Sequence, residues 1–168
     1  MTKHDETPDS IQKKITLRAP RSRVWRAISD AKEFGTWFGV EFEGPFVAGK
    51  ALKGRIVPTK VDPEVAKLQE PHTGLPFDWT VEAIEPEQWI SFRWHPFGID
   101  KARDYSHEPK TLIVFELEDS EDGTVLTITE SGFRSIPLDR RAQAFAANDG
   151  GWEHQTRLLE KYLALHAA

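Results

Sequence analysis

Apolar and polar positions alternate most regularly near the C-terminal end of the chain. Leu138, Ala142, Phe145, Asp149, Trp152, Thr156, Leu159 and Leu163 recur at alternating steps of four and three, which places them on one face of a helix over residues 138–165. Arg140, Arg141, Glu153, Arg157, Glu160 and Lys161 fall off that face. Asp149 and Thr156 are polar positions on a face that must pack, so they point to a wet or ligand-bearing interior. At 1.5 Å per residue such a helix is about 40 Å long, more than a small sheet covers, so a kink or break is expected. Gly150-Gly151 is the expected place, because helix propensity is lowest there.

Upstream the period changes from helix to strand. Ile11, Lys13, Ile15 and Leu17 alternate with Gln12, Lys14, Thr16 and Arg18, a half-buried strand over 10–18. Pro20 opens a helix with Val24, Trp25, Ile28 and Ala31 on its apolar stripe. Asp30 and Glu33 have capping-box spacing for a second short helix, which Gly35 is expected to break, leaving Trp37-Phe38 just past a turn. Strand patterns then follow at 40–46, 51–57, 77–83, 90–94, 111–118 and 124–131. The connection 58–76 is long, and Asp62-Pro63-Glu64 predicts a helical turn or two near 63–69. Residues 96–109 read as a mobile loop, and residues 1–9 as a disordered tail before a single domain over 10–168. The expected fold class is α+β. A curved six- to seven-stranded antiparallel sheet grips the long C-terminal helix, and two short helices follow the first strand.

Composition narrows the function classes. Of 168 residues, 39% are apolar and 29% charged, ordinary for a globular domain, but six Trp and ten Phe must be buried or must line something. A net charge of −5 argues against a nucleic-acid partner. With no cysteine, disulfides, thiolate metal sites and Cys nucleophiles are excluded. No apolar run approaches the roughly 20 residues of a membrane span, and no leader pattern is visible, so membrane insertion is not expected and a cytoplasmic location is.

Several short motifs stand in a fixed order along residues 11–165. They are Ala19-Pro20-Arg21-Ser22-Arg23-Val24-Trp25-Arg26-Ala27, Trp37-Phe38, Ile90-Ser91-Phe92-Arg93-Trp94 and Phe115-Glu116-Leu117. Gly123-Thr124, Thr129-Glu130-Ser131-Gly132-Phe133, Gly151-Trp152, Leu159 and Tyr162-Leu163 complete the set. In this order the chain resembles the START-like, or helix-grip (SRPBCC), superfamily, in the branch related to the activator of the ninety-kilodalton heat-shock chaperone's ATPase. The resemblance implies a cavity between sheet and last helix. It implies no single activity, because relatives include carriers of hydrophobic ligands, cyclases and a cochaperone.

Candidate chemistry follows from which side chains point inward. Trp25, Trp37, Phe38, Phe42, Trp79 and Phe92 are candidate ligand-binding residues on the first helices and strands. Trp94, Phe115, Ile128, Phe145 and Trp152 continue that set, and all compete with the plainer role of filling a core. Glu130 is in phase with Leu126 and Ile128, so it points inward and needs a partner: water, an Arg, an indole N–H or a ligand. Glu130, Asp149 and Thr156 are the polar candidates. Two inward carboxylates facing one space would suit a cyclase or hydrolase. His95 and His107 flank a loop holding Asp100 and Asp104, but HExxH spacing is absent and no metal or other cofactor is expected. GxSxG, Walker and GxGxxG motifs are absent as well. The cluster Arg18, Arg21, Arg23 and Arg26 reads as a solvated face. Three functions are thus expected in descending order: a binding module for a small hydrophobic or amphipathic ligand, a carboxylate enzyme, and a chaperone-interacting module.

Overall fold

The computed structural model describes residues 6–97 and 102–166. Seven strands form one antiparallel sheet: β1 (Ser10–Leu17), β2 (Val40–Phe42), β3 (Ala51–Ile56), β4 (Pro76–Glu85), β5 (Trp89–Trp94), β6 (Thr111–Ser120) and β7 (Gly123–Ser131). The order across the sheet is β1-β7-β6-β5-β4-β3-β2. β2 to β7 therefore meander, and β1 joins the far edge beside β7. Between β4 and β5 the register slips from Val81↔Phe92 to Ala83↔Ser91, so Glu82 is an extra residue that bends the sheet.

Among the described residues, four α-helices pack with the sheet. α1 (Arg21–Ser29) and α2 (Ala31–Phe38) lie between β1 and β2, α3 (Pro63–Gln69) lies between β3 and β4, and α4 (Leu138–Leu165) closes the chain. Local chemistry sets their ends. The Asp30 side chain accepts from the Lys32 N–H at the start of α2, and Asp62 accepts from the N–H groups of Glu64 and Val65 at the start of α3. Gly39 ends α2 with φ of 96°, a left-handed conformation that favours glycine.

Two expectations about glycine are corrected. Gly35 does not break α2 but lies inside it, and Trp37 and Phe38 belong to the same helix. A Cβ at Gly35 would stand 2.0 Å from the Val40 carbonyl oxygen, so close approach of β2 is the reason for glycine there. α4 runs as one helix through Gly150-Gly151, with no break. Thr7 and Asp9, placed by the sequence in a tail, are tied to the turn after β7. The Asp9 carbonyl accepts from the Gly132 and Phe133 N–H groups, and the Thr7 carbonyl accepts from Arg134.

The core lies between the concave face of the sheet and the helices. It is a continuous packing of rings: Phe34 of α2 touches Trp37, Phe38, Phe46, Trp79, Phe92 and Phe115, all with centroids within 6.0 Å. Trp79 and Phe92 stack face to face at 3.9 Å.

Candidate functional site

Glu130 is where the sheet and α4 meet. It sits on β7 opposite Ile113 of β6 and Ile11 of β1, on the inner face with Leu126 and Ile128, and has 0% exposure. Bare burial of a carboxylate would cost several kcal/mol. Four neutral side chains offset that cost with five hydrogen bonds. Trp94 Nε1 of β5 and Thr111 Oγ1 of β6 donate to Oε2 at 2.7 and 2.5 Å. Trp152 Nε1 of α4 donates to Oε1 at 2.8 Å, and Asn148 Nδ2 donates to both oxygens at 2.9 and 3.1 Å. One carboxyl group thus joins β5, β6, β7 and α4, and two indoles present in the sequence as bulk act as donors.

A cleft of about 590 Å³ opens beside this network. Phe38, Phe77, Trp94, Phe97 and Tyr105 give it an aromatic wall, and Asn148 and Gln155 of α4 give it a polar one. Trp94 and Asn148 belong both to the cleft and to the shell around Glu130, so Glu130 fixes the cleft floor without lining it. A second groove of about 900 Å³ lies on the other side of α2. Lys32, Lys60, Glu41 and Glu43 stand among apolar residues such as Val40, Phe42 and Val57 in its lining, and none of the lining residues belongs to α4.

The residues that border the cleft from the 102–110 segment are held by charge. Glu108 accepts from Arg140 at 2.7 Å and from Arg103 at 2.9 Å, and Arg140 also donates to the Pro96 carbonyl. The Arg140 guanidinium lies 4.7 Å from the Tyr105 ring centroid. Burial pushes the Glu108 carboxyl up, but Arg140 and Arg103 outweigh it and hold the group below its ordinary value. Asp100 lies outside the described residues. Among the described residues, no group of three or more His, Asp or Glu side chains is arranged to hold a metal ion.

The sequence-predicted residues divide into three groups. Glu130, Trp152, Trp94 and Phe38 come together at the cleft and its floor. Trp37, Trp79, Phe92, Phe115 and Ile128 are buried in the packed core and line neither the cleft nor the second groove; Trp37 Nε1 donates to the Ala27 carbonyl. Trp25 is half-buried on α1 and Phe42 lines the groove beyond α2, while Phe145 packs on Phe133 at 5.2 Å.

Four inward or outward assignments are corrected: those of Asp149, Arg140, Leu138 and Arg23. Asp149 does not point inward: it is half exposed and pairs with Lys13 of β1 at 2.9 Å. Thr156 is buried where the sequence places it, and its hydroxyl is satisfied within its own helix, donating to the Glu153 carbonyl at 2.8 Å. Arg140, placed off the packing face, is buried, whereas Leu138, placed on it, is 66% exposed. The cause is geometric. The inward row runs Arg140, Ala144, Asn148, Trp152 and Thr156, buried except for the half-buried Asn148, and this i,i+4 row drifts around the helix by about 40° per step. Reading back from Trp152 in fours would have found Asn148 and Arg140. Arg23 is likewise not solvated: it is 5% exposed and pairs with Glu33 at 2.9 Å.

A curved antiparallel sheet closed by one long C-terminal helix, with a cleft at their junction, is the helix-grip architecture of the START-like superfamily. Within it, residues 18–164 match the family described as "Activator of Hsp90 ATPase homolog 1-like protein", and the chain belongs to that family. No curated protein matches the sequence closely enough to count as a relative. Solved structures share the fold. A protein from Arthrobacter aurescens has a TM-score of 0.69 at 18% identity, over 96% of this chain and 90% of its own. A Mesorhizobium loti protein has 0.67 at 20%, over 92% and 96%. The Aha1 dimer from Colwellia psychrerythraea has 0.62 at 17%, over 92% and 95%. At these identities the likeness concerns the fold alone.

Proposed function

We propose that the protein is a binding module that holds a small apolar or amphipathic molecule in the cleft between β4, β5 and α4. One observation carries this reading: an aromatic-walled space of about 590 Å³ whose floor is ordered by a buried, fully hydrogen-bonded carboxylate. That volume lies within the range of small-molecule sites, roughly 300–1,000 Å³. The ligand stays at the open junction of sheet and helix, because the interior beneath α4 is filled by rings. The cytoplasmic location expected from the sequence is part of the proposal. A panel of lipids and aromatic compounds, scored by melting temperature, tests it. A ligand of this cleft raises Tm, and Leu75→Trp, which fills the cleft from its half-exposed wall, abolishes the rise. No rise with any compound in the panel would remove the reading.

The carboxylate-enzyme reading loses its geometry, since Asp149 faces Lys13 and Glu130 is surrounded by donors, so the two share no space. Membership of the activator family favours a second reading, a surface that docks a chaperone. The large exposed apolar residues Val47, Leu68, Leu138 and Leu165 lie far apart in sequence. A pull-down with the chaperone against a matched control protein distinguishes this reading from the first.

A further inference from the structure

Three of the rings that border the cleft are set as walls of a corner. Phe38 and Phe77 have centroids 6.0 Å apart and planes at 74°, and Phe77 and Trp94 have centroids 5.9 Å apart and planes at 63°. α2, β4 and β5 each supply one ring, so tertiary packing builds the corner. An aromatic ring carries negative charge on its face, and rings set steeply to one another can surround a cation on more than one side.

The fixed charge around this corner has one sign. Among the described residues, the cleft lining holds no Lys and no Arg, and its carboxylate is Asp78, exposed beside Phe77. Gln69, Ser106 and Asn148 are neutral, and the lining groups able to take a positive charge are His72 and His95. Arg103 and Arg140, next to Tyr105, are paired with Asp139 and Glu108. Glu130 is fully buried, and its partners Trp94, Thr111, Asn148 and Trp152 are neutral donors, so none of them cancels its charge. Trp94 links the two features. Its N–H donates to Glu130 at 2.7 Å while its ring borders the cleft, and a donor bonded to a carboxylate is polarised toward a more electron-rich ring.

We infer that the cleft takes an organic cation, an alkylated ammonium group on an apolar or aromatic body. This step rests on the binding reading above and narrows its ligand. The ammonium stands in the corner of Phe38, Phe77 and Trp94, on the side of Asp78, and the body lies along the rest of the aromatic wall. A neutral group of the same shape fills the same space without drawing on the ring faces or the carboxylate charge.

Calorimetric titration of the full chain with 4-(trimethylammonio)phenol and with 4-tert-butylphenol tests the inference, because the two differ only in a charged nitrogen for a carbon. The titrations are run at pH 8, where an imidazole is ordinarily neutral. The ammonium is expected to bind about five-fold more tightly, the worth of roughly one desolvated cation–π contact. Phe77→Leu keeps the wall apolar and removes one ring, and Asp78→Asn removes the charge at an exposed position. Each should cut the ratio of the two affinities about two- to three-fold. A ratio at or below one overturns the inference and leaves the cleft to neutral ligands. A ratio unchanged in both variants overturns it too, since the ammonium then binds elsewhere, such as the groove that holds Glu41 and Glu43. Failure of both phenols to bind, while a compound of the wider panel raises Tm, overturns this inference alone. No binding by any compound removes the binding reading with it.

Discussion

Glu130 shows how much one residue can organise. Its two oxygens receive an indole N–H from each side of the interface, a threonine hydroxyl and an amide. Glu130→Gln keeps the shape but replaces one oxygen by an NH₂ that faces donors. We expect a loss of about 3 kcal/mol, read from urea unfolding, because buried donors lose their acceptor. Glu33 plays a related part between α2 and α4, accepting from the Tyr162 hydroxyl at 2.7 Å and pairing with Arg23 and Arg26 at 2.9 Å. Burial pushes its carboxyl up, but the Tyr162 and Arg23 hydrogen bonds and the two guanidinium charges outweigh that and hold it below its ordinary value. A lowered acid stabilises the fold fully above its unfolded pKa, about 4.3, and loses that contribution as pH falls through the folded value. The urea midpoint should therefore be level from neutral pH down to about pH 5 and fall below it. Glu33→Gln should lower the midpoint at neutral pH and flatten the acid limb.

At the scale of elements, the glycines of the helices make opposite predictions. Gly150 and Gly151 lie in the middle of α4 with nothing within 4 Å of a would-be Cβ. Gly150→Ala should raise stability by about 1 kcal/mol in chemical denaturation, since only backbone entropy changes. Gly35→Ala should lower it by about 2–3 kcal/mol, because β2 would have to move away from α2. These elements were legible in the sequence to unequal degrees. Strands with period two carry their own phase, so Glu130 could be placed inside from Leu126 and Ile128 alone. α4 was legible as an element, but the face it buries was not. Its first half packs against the 102–110 segment and the turn after β7, so Arg140 of the inward row is buried where Leu138 is exposed, and Asn148 of that row is as half-buried as Phe145. Polar residues on that row hide it from a hydrophobicity pattern, and Glu108, the partner that makes Arg140 affordable there, is 32 residues away in the chain. Arg23 was misread for the same reason, since its partner Glu33 lies on the next helix.

For the whole molecule, the concave face of the sheet and α4 are joined by a packed core. Rings from α2 and from β4 to β6 fill the space under α4, and the cleft is displaced to the β4–β5 side, where Trp94 and Asn148 form both its wall and the shell of Glu130. Most of the aromatic side chains therefore serve the core, and among those that border the cleft are Phe38, Phe77, Trp94, Phe97 and Tyr105. A ligand bound in the cleft would sit on this floor. Backbone and side-chain N–H shifts followed by NMR during titration with naphthol test it most directly. Saturable shifts of the Trp94 indole and the Asn148 and Gln155 amides are expected, with Gly35 and Gly44 of the groove beyond α2 unmoved. Shifts confined to that groove, or none at the Trp94 indole, would contradict it.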